Sequence, residues 1–248
     1  MRYRQNTSTN PGPAGARNAA TRVVVSSLGA LLGVSSIDHG VLEMMQGNGP
    51  TPGYFVKALG PGHSWTLWVH GSEPAFTLVP NFLLTGMLAT SMGILLAVWS
   101  AAFIERRGGA TVFLLLSIAS FLTGGGLAQV LLFTLTWAAG TRIRASLQSW
   151  RRILPAALRR VLAHIWVLAL VTAAILFLAA LEIATIGYFP GLPHNTDALA
   201  RILWRFAAAI IAAVVLAIVG GFAHDLEVGA MGSPFPRRAS RLSAVHGG

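Results

Sequence analysis

The sequence predicts an all-α polytopic membrane bundle, and three observations carry that reading. The chain has 248 residues, of which 54% are hydrophobic and 10% charged, and its mean hydropathy is +0.64. A soluble domain carries about 25% charged residues, so charge this sparse cannot coat a water-facing surface of this size. Long apolar runs recur along the chain, each with at least the roughly 20 residues that a spanning helix needs. Arginine gathers between some of these runs and is nearly absent between others, which is the asymmetry that keeps basic loops on the cytoplasmic side.

Residues 1–21 are polar, rich in Asn, Thr, Pro, Gly and Ala, and include Arg2, Arg4 and Arg17. They are expected to form a disordered cytoplasmic tail ahead of a membrane domain at 22–228. The first apolar run, Val23–Met45, is too long for the core of a signal peptide and reads as an uncleaved anchor. Further full spans are expected at Phe82–Ile104, Leu162–Phe189 and Ala198–Ala223. Residues 229–248 hold Pro234, Pro236, Arg237, Arg238 and Arg241 and read as a second disordered basic tail.

The run Ala110–Gly140 admits two threadings. Gly124-Gly125-Gly126 interrupts it, and each glycine costs a helix interior about 1 kcal/mol relative to alanine. As a single span it gives five spans and sets Arg106 and Arg107 opposite Arg142, Arg144, Arg151, Arg152, Arg159 and Arg160. As a re-entrant hairpin it gives four spans with both termini cytoplasmic. Only Lys57, Arg201 and Arg205 of the 18 basic residues then lie outside, so the hairpin is favoured. Non-helical backbone at membrane depth must be buried in protein or line a wet cavity, and the hairpin therefore hints at a cavity.

Two stripes of small residues are expected to bring helices close. Ser26, Gly29, Gly33, Ser36 and Gly40 mark the first run, and Gly86, Thr90, Gly93, Ala97 and Ser100 mark the second. Packing within the bundle is favoured over dimerisation. Between Arg142 and Arg160 lie Ile143, Leu147, Trp150, Ile153, Leu154 and Leu158, broken at Pro155. This segment reads either as a basic amphipathic stretch on the inner leaflet or as a plain topogenic loop.

Ionisable residues inside spans are rare and point to function by default. Asp38, His39 and Glu43 lie in the outer third of the first run, Glu182 in the outer third of the fourth, and Arg201 and Arg205 in the first turns of the fifth. His39 and Glu43, four apart, share a helix face and could relay protons, bind a cation or act as acid and base. The alternative is a structural pair answering Arg201 or Arg205. Those arginines oppose the dipole at a helix start, so Asp197, Glu182, Glu43 or an anionic ligand should compensate them.

His63, His70 and Glu73 are secondary candidates in the following loop, and Asn81, after Pro80, is placed to cap the next helix. His224 and Asp225 read as a solvated helix end. The histidine spacing is not diagnostic of metal, and a haem held by His39 and His164 is not favoured. No catalytic residue, metal or cofactor is assigned. The chain has no cysteine, which excludes disulfides, thiolate metal sites and cysteine nucleophiles. No phosphate-binding loop, dinucleotide fingerprint or hydrolase motif occurs. The expected partners are the lipid bilayer, with anionic headgroups at the cytoplasmic face, and a membrane protein or second copy of the chain. Nucleic acid is not expected, because the arginines flank apolar runs.

Several ordered motifs carry a family likeness: Asp38-His39-Gly40, Glu43, Gln46-Gly47-Asn48, Glu73-Pro74-Ala75, Pro80 through Gly86, Gly124-Gly125-Gly126 and Thr141-Arg142-Ile143. Over about Arg22 to Phe189 the chain resembles a group of multi-spanning bacterial and archaeal membrane proteins of unknown function. The resemblance implies an integral membrane protein and carries over no functional residue. The leading expectation is a small transporter or permeation protein of the plasma or inner membrane. Its polar site would be built from His39, Glu43, Glu182 and Arg205, with the glycines lining the path. An accessory subunit of a larger membrane complex stands second, and a membrane-embedded enzyme acting on a lipid or apolar substrate third.

Overall fold

The computed structural model describes residues 18–191 and 195–231; the expected tails lie mostly outside these residues. In chain order the elements are α1 (Ala19–Met44), β1 (Phe55–Leu59), β2 (Ser72–Thr77), α2 (Phe82–Ala102), α3 (Gly109–Leu122), β3 (Thr123–Gly126), α4 (Gln129–Gly140), α5 (Gln148–Ile153), α6 (Ala156–Ile186) and α7 (Thr196–Met231). Among the described residues α1, α2, α6 and α7 are long and apolar enough to cross a membrane, and α3 and α4 are shorter apolar helices. The protein is a multi-pass helical bundle. Both α6 and α7 outrun their apolar runs at one end, where Arg159 and Arg160 begin one and His224 to Glu227 finish the other. At 36 residues α7 measures roughly 54 Å, well beyond a hydrocarbon core of about 30 Å.

The run at 110–140 is a hairpin. Its 14- and 12-residue helices reach roughly 21 and 18 Å, too short to span. One foot stands at the end of α2 and the other beside the start of α1. Trp99 Nε1 donates to the Gly109 carbonyl at 3.0 Å, and Asn18 Nδ2 donates to the carbonyls of Arg142 and Ala145 at 2.6 and 2.9 Å. The tip reaches the other end of α1, where Gly124 meets Glu43 and Gly126 meets His39. One end of the bundle is thus rich in arginine, and the other carries a small antiparallel sheet.

That sheet was not anticipated. Its order is β1-β2-β3, pairing Val56 with Ala75 and Ala75 with Gly126. The glycines that break the helix re-form as an edge strand on the α1–α2 loop, so their backbone groups gain partners that lipid cannot supply. The same loop closes α6. Trp68 Nε1 and Gly187 N donate to the Ile183 carbonyl, Ser72 Oγ to Ala184, Thr66 Oγ1 to Thr185 and Leu67 N to Ile186. These are the orphan carbonyls of a helix C-terminus.

The small stripes pack α1 on α2 within one chain. A Cβ on Gly33 would come to 2.6 Å from the Gly93 carbonyl, and one on Gly40 to 2.5 Å from the Gly86 carbonyl. Ser26 Oγ donates to the Ser100 carbonyl at 2.7 Å. Asn81 caps α2 as expected, accepting from Leu84 N at 3.1 Å.

At the arginine-rich end, Asp225 is no merely solvated helix end. Its carboxylate accepts from Ala20 N and Thr21 N, each at 2.9 Å, and from Thr21 Oγ1 at 2.6 Å, so α7 caps the start of α1. The segment from Arg142 folds onto its own bundle. Ile143, Leu147 and Leu154 are buried, and the Trp150 ring lies 5.0 Å from that of Phe222. The remaining acids there are engaged too: Glu105 pairs with Arg22, and Glu227 with Arg159.

Candidate functional site

The sheet end of α1 carries the site. His39 is 2% exposed and Glu43 fully buried, one helical turn apart on the face turned to β3. Side chains on a strand alternate, and here the alternation selects glycine. Gly124 lies on the Glu43 carboxylate, Gly126 on the His39 imidazole, and Gly125 faces the Ser120 carbonyl. A Cβ on Gly126 would come to 2.5 Å from His39 Nε2, and one on Gly124 would overlap the carboxylate. The glycines, expected to break the run and line a path, let a backbone press directly on two ionisable side chains.

His39 Nε2 donates to Glu73 Oε2 at 2.8 Å. Glu73 stands in β2 with φ 58°, the one positive-φ residue other than glycine among the described residues. It also precedes Pro74, a position that disfavours helical backbone of either hand. Holding it there costs about 1–3 kcal/mol, and the distortion delivers its carboxylate to the histidine. His39 Nδ1 and both Glu43 oxygens have no hydrogen-bond partner. Thr85 lies beside Glu43, but its hydroxyl is engaged by Thr77 Oγ1 at 2.6 Å and the Thr123 carbonyl at 2.8 Å. Buried polar atoms without partners are rare in folded proteins, and they cluster where function retains them.

Next to His39 and Glu73 is a cavity of about 370 Å³ among α1, β2, α4, α6 and α7. Ser35, His39, Glu73 and Gln129 form its polar end. Gln129 Nε2 donates to Ser35 Oγ at 2.9 Å, and its Oε1 accepts from Ser36 Oγ at 3.2 Å, so the amide is fixed by α1. The remaining wall is apolar, including Trp68, Leu132, Phe177, Leu203 and Ile211. Leu131 and Trp204, both well exposed, mark the mouth between α4 and α7 on the apolar flank of the bundle. A polar pocket head with an apolar throat opening sideways suits a molecule that itself has a polar head and an apolar body.

The other candidates lie elsewhere. Glu182, Arg201 and Arg205 are exposed on α6 and α7 and do not line the cavity. His39 is answered by Glu73, a loop residue, rather than by either arginine. Asp38 is half-buried and accepts from Thr185 Oγ1 at 3.4 Å. The His63 ring lies 5.6 Å from that of Trp65, tilted against it, and His70 is exposed, with its carbonyl taking Lys57 Nζ at 2.6 Å. Asn81 serves as a cap and donates to Asn48 Oδ1 at 2.8 Å. His164 is exposed on α6, with Nδ1 at 2.6 Å from the Arg160 carbonyl, toward the opposite end of the bundle from His39. Among the described residues no group of three His, Asp or Glu side chains is gathered as metal ligands would be. Gln129, Ser35 and Trp204 were not singled out from sequence, and polar residues inside an apolar run were the available signal for the first two. Neither family models, curated proteins nor solved structures give a match to this chain.

Proposed function

We propose that this membrane protein is a small transporter that takes an amphipathic molecule from the bilayer into the lateral cavity. The head of the molecule rests at His39, Glu73 and Gln129, and its body lies along α4, α6 and α7. The observation that carries this reading is a cavity with a largely buried polar end and an apolar mouth. The arginine-rich end faces the cytoplasm in this reading, which places the site in the outer half of the membrane. Glu182, Arg201 and Arg205 drop out of the path, and a water-filled route for a polar solute gives way to access from lipid. The small stripes are spent on the α1–α2 contact within one chain.

Mass spectrometry of small molecules extracted from the purified protein tests the reading. Ala207 lines the cavity, and Ala207→Trp fills it. An amphipathic molecule should copurify with the native chain near one per protein and be lost from the folded variant. Equal recovery from both would refute cavity binding. A membrane-embedded enzyme is the second reading, favoured by the His39–Glu73 contact at 2.8 Å, which is within proton-transfer reach. Recovery of a substrate and product pair in place of one compound would select it.

A further inference from the structure

We infer that the molecule seated in this cavity is a cationic amphiphile, an apolar body bearing an ammonium head that rests on Glu73. The inference depends on the cavity being a binding site, as proposed above, and adds the charge of the ligand.

The walls exclude the opposite charge first. Among the described residues no Lys or Arg lines the cavity. A carboxylate or phosphate head would sit beside Glu73, and His39, already engaged by that carboxylate, is the one group there that could answer it. In a partly desolvated pocket two like charges repel far more strongly than in water. Fatty acids and phosphate esters therefore do not fit the polar end.

The groups present favour a cation. Glu73 spends Oε2 on His39, and its other oxygen remains for a ligand. His39, nearly all buried, keeps Nδ1 without a partner at the same end. Glu43 follows one turn after His39 on the same helix face and brings a second carboxyl group, and no basic side chain, to this end of α1. The lysine of the adjoining strand, Lys57, is turned away to the His70 carbonyl. Trp68, Trp204 and Phe177 line the cavity, and aromatic faces attract an organic cation. A neutral alcohol could satisfy the hydrogen bonds but would leave the carboxylate charge unanswered. An ammonium answers both.

Three water-soluble probes of one shape separate these cases: 4-phenylbutylammonium, 4-phenylbutanol and 4-phenylbutyrate. Each is titrated calorimetrically into the full chain in detergent, with Ala207→Trp measuring uptake by the micelle alone. The ammonium should bind at least tenfold more tightly than the alcohol, and the butyrate should give no heat above that of Ala207→Trp. In Glu73→Gln the ammonium should fall to the level of the alcohol. If Glu73→Gln does not fold, the native-chain ranking of the three probes still decides. Equal binding of ammonium and alcohol, or tighter butyrate, overturns the charge assignment while leaving the cavity as a binding site. No binding by any probe to folded native protein overturns both.

Discussion

Gly124 lies on the carboxylate of Glu43 so closely that no side chain fits between strand and helix. Gly126 stands in the same relation to His39, two residues on. Gly124→Ala and Gly126→Ala should each destabilise the fold by more than about 2 kcal/mol through overpacking, with added backbone strain at Gly124, whose φ is +107°. Gly49→Ala, where a Cβ meets open space, should stay within about 0.5 kcal/mol of the native chain. Unfolding measured in detergent tests all three, and native-like stability in Gly126→Ala would remove the strand from the site.

The hairpin makes a clear prediction about sidedness. The chain has no cysteine, so single cysteines can be introduced at exposed Arg107, Ser149 and Ser64 without background. A membrane-impermeant maleimide applied to one face should label Arg107→Cys and Ser149→Cys alike and Ser64→Cys oppositely. A five-span chain would instead separate the first two.

Asp225 supplies to α1 a cap that its own N-cap residue, Asn18, does not supply. Asp225→Ala should cost about 1–2 kcal/mol, the loss of an N-cap carboxylate. Hydrogen exchange should quicken first at the Ala20 and Thr21 amides. Unchanged exchange there would mean that the contact contributes nothing to the helix end.

The α1–α2 seam has no room for a methyl group at Gly33, where the Gly93 carbonyl would lie 2.6 Å away. Gly33→Ala should lower the melting temperature without first altering the oligomeric state, as read by light scattering of the protein in detergent. A folded, equally stable variant with a changed subunit number would instead make the stripe an interface between copies.

The bundle was legible because lipid imposes simple rules. Apolar length located the helices, the arginines fixed the hairpin, and glycines spaced three and four apart identified the α1–α2 contact. The site was only half legible. His39 and Glu43 could be marked because charge inside a span is costly. Their surroundings could not, because they come from tertiary contacts that leave no periodic trace. Glu73 reaches His39 from a strained position in β2 before Pro74, and three of the four residues of β3 are glycines, which have poor strand preference. Glu182, Arg201 and Arg205 shared a depth with the site, and depth says nothing about the side of the helix.

The pairing of β3 with β2 also sets an order of assembly. β2 belongs to the loop between α1 and α2, and β3 is made later in the chain. With the arginine-rich end cytoplasmic, as proposed, the hairpin tip can complete its backbone bonds only once that loop has been carried across the membrane. In that orientation the loop is a template awaiting the glycines during synthesis. A defect in its translocation would leave the hairpin with unpaired backbone in lipid, and the damage would surface far from the residue that caused it.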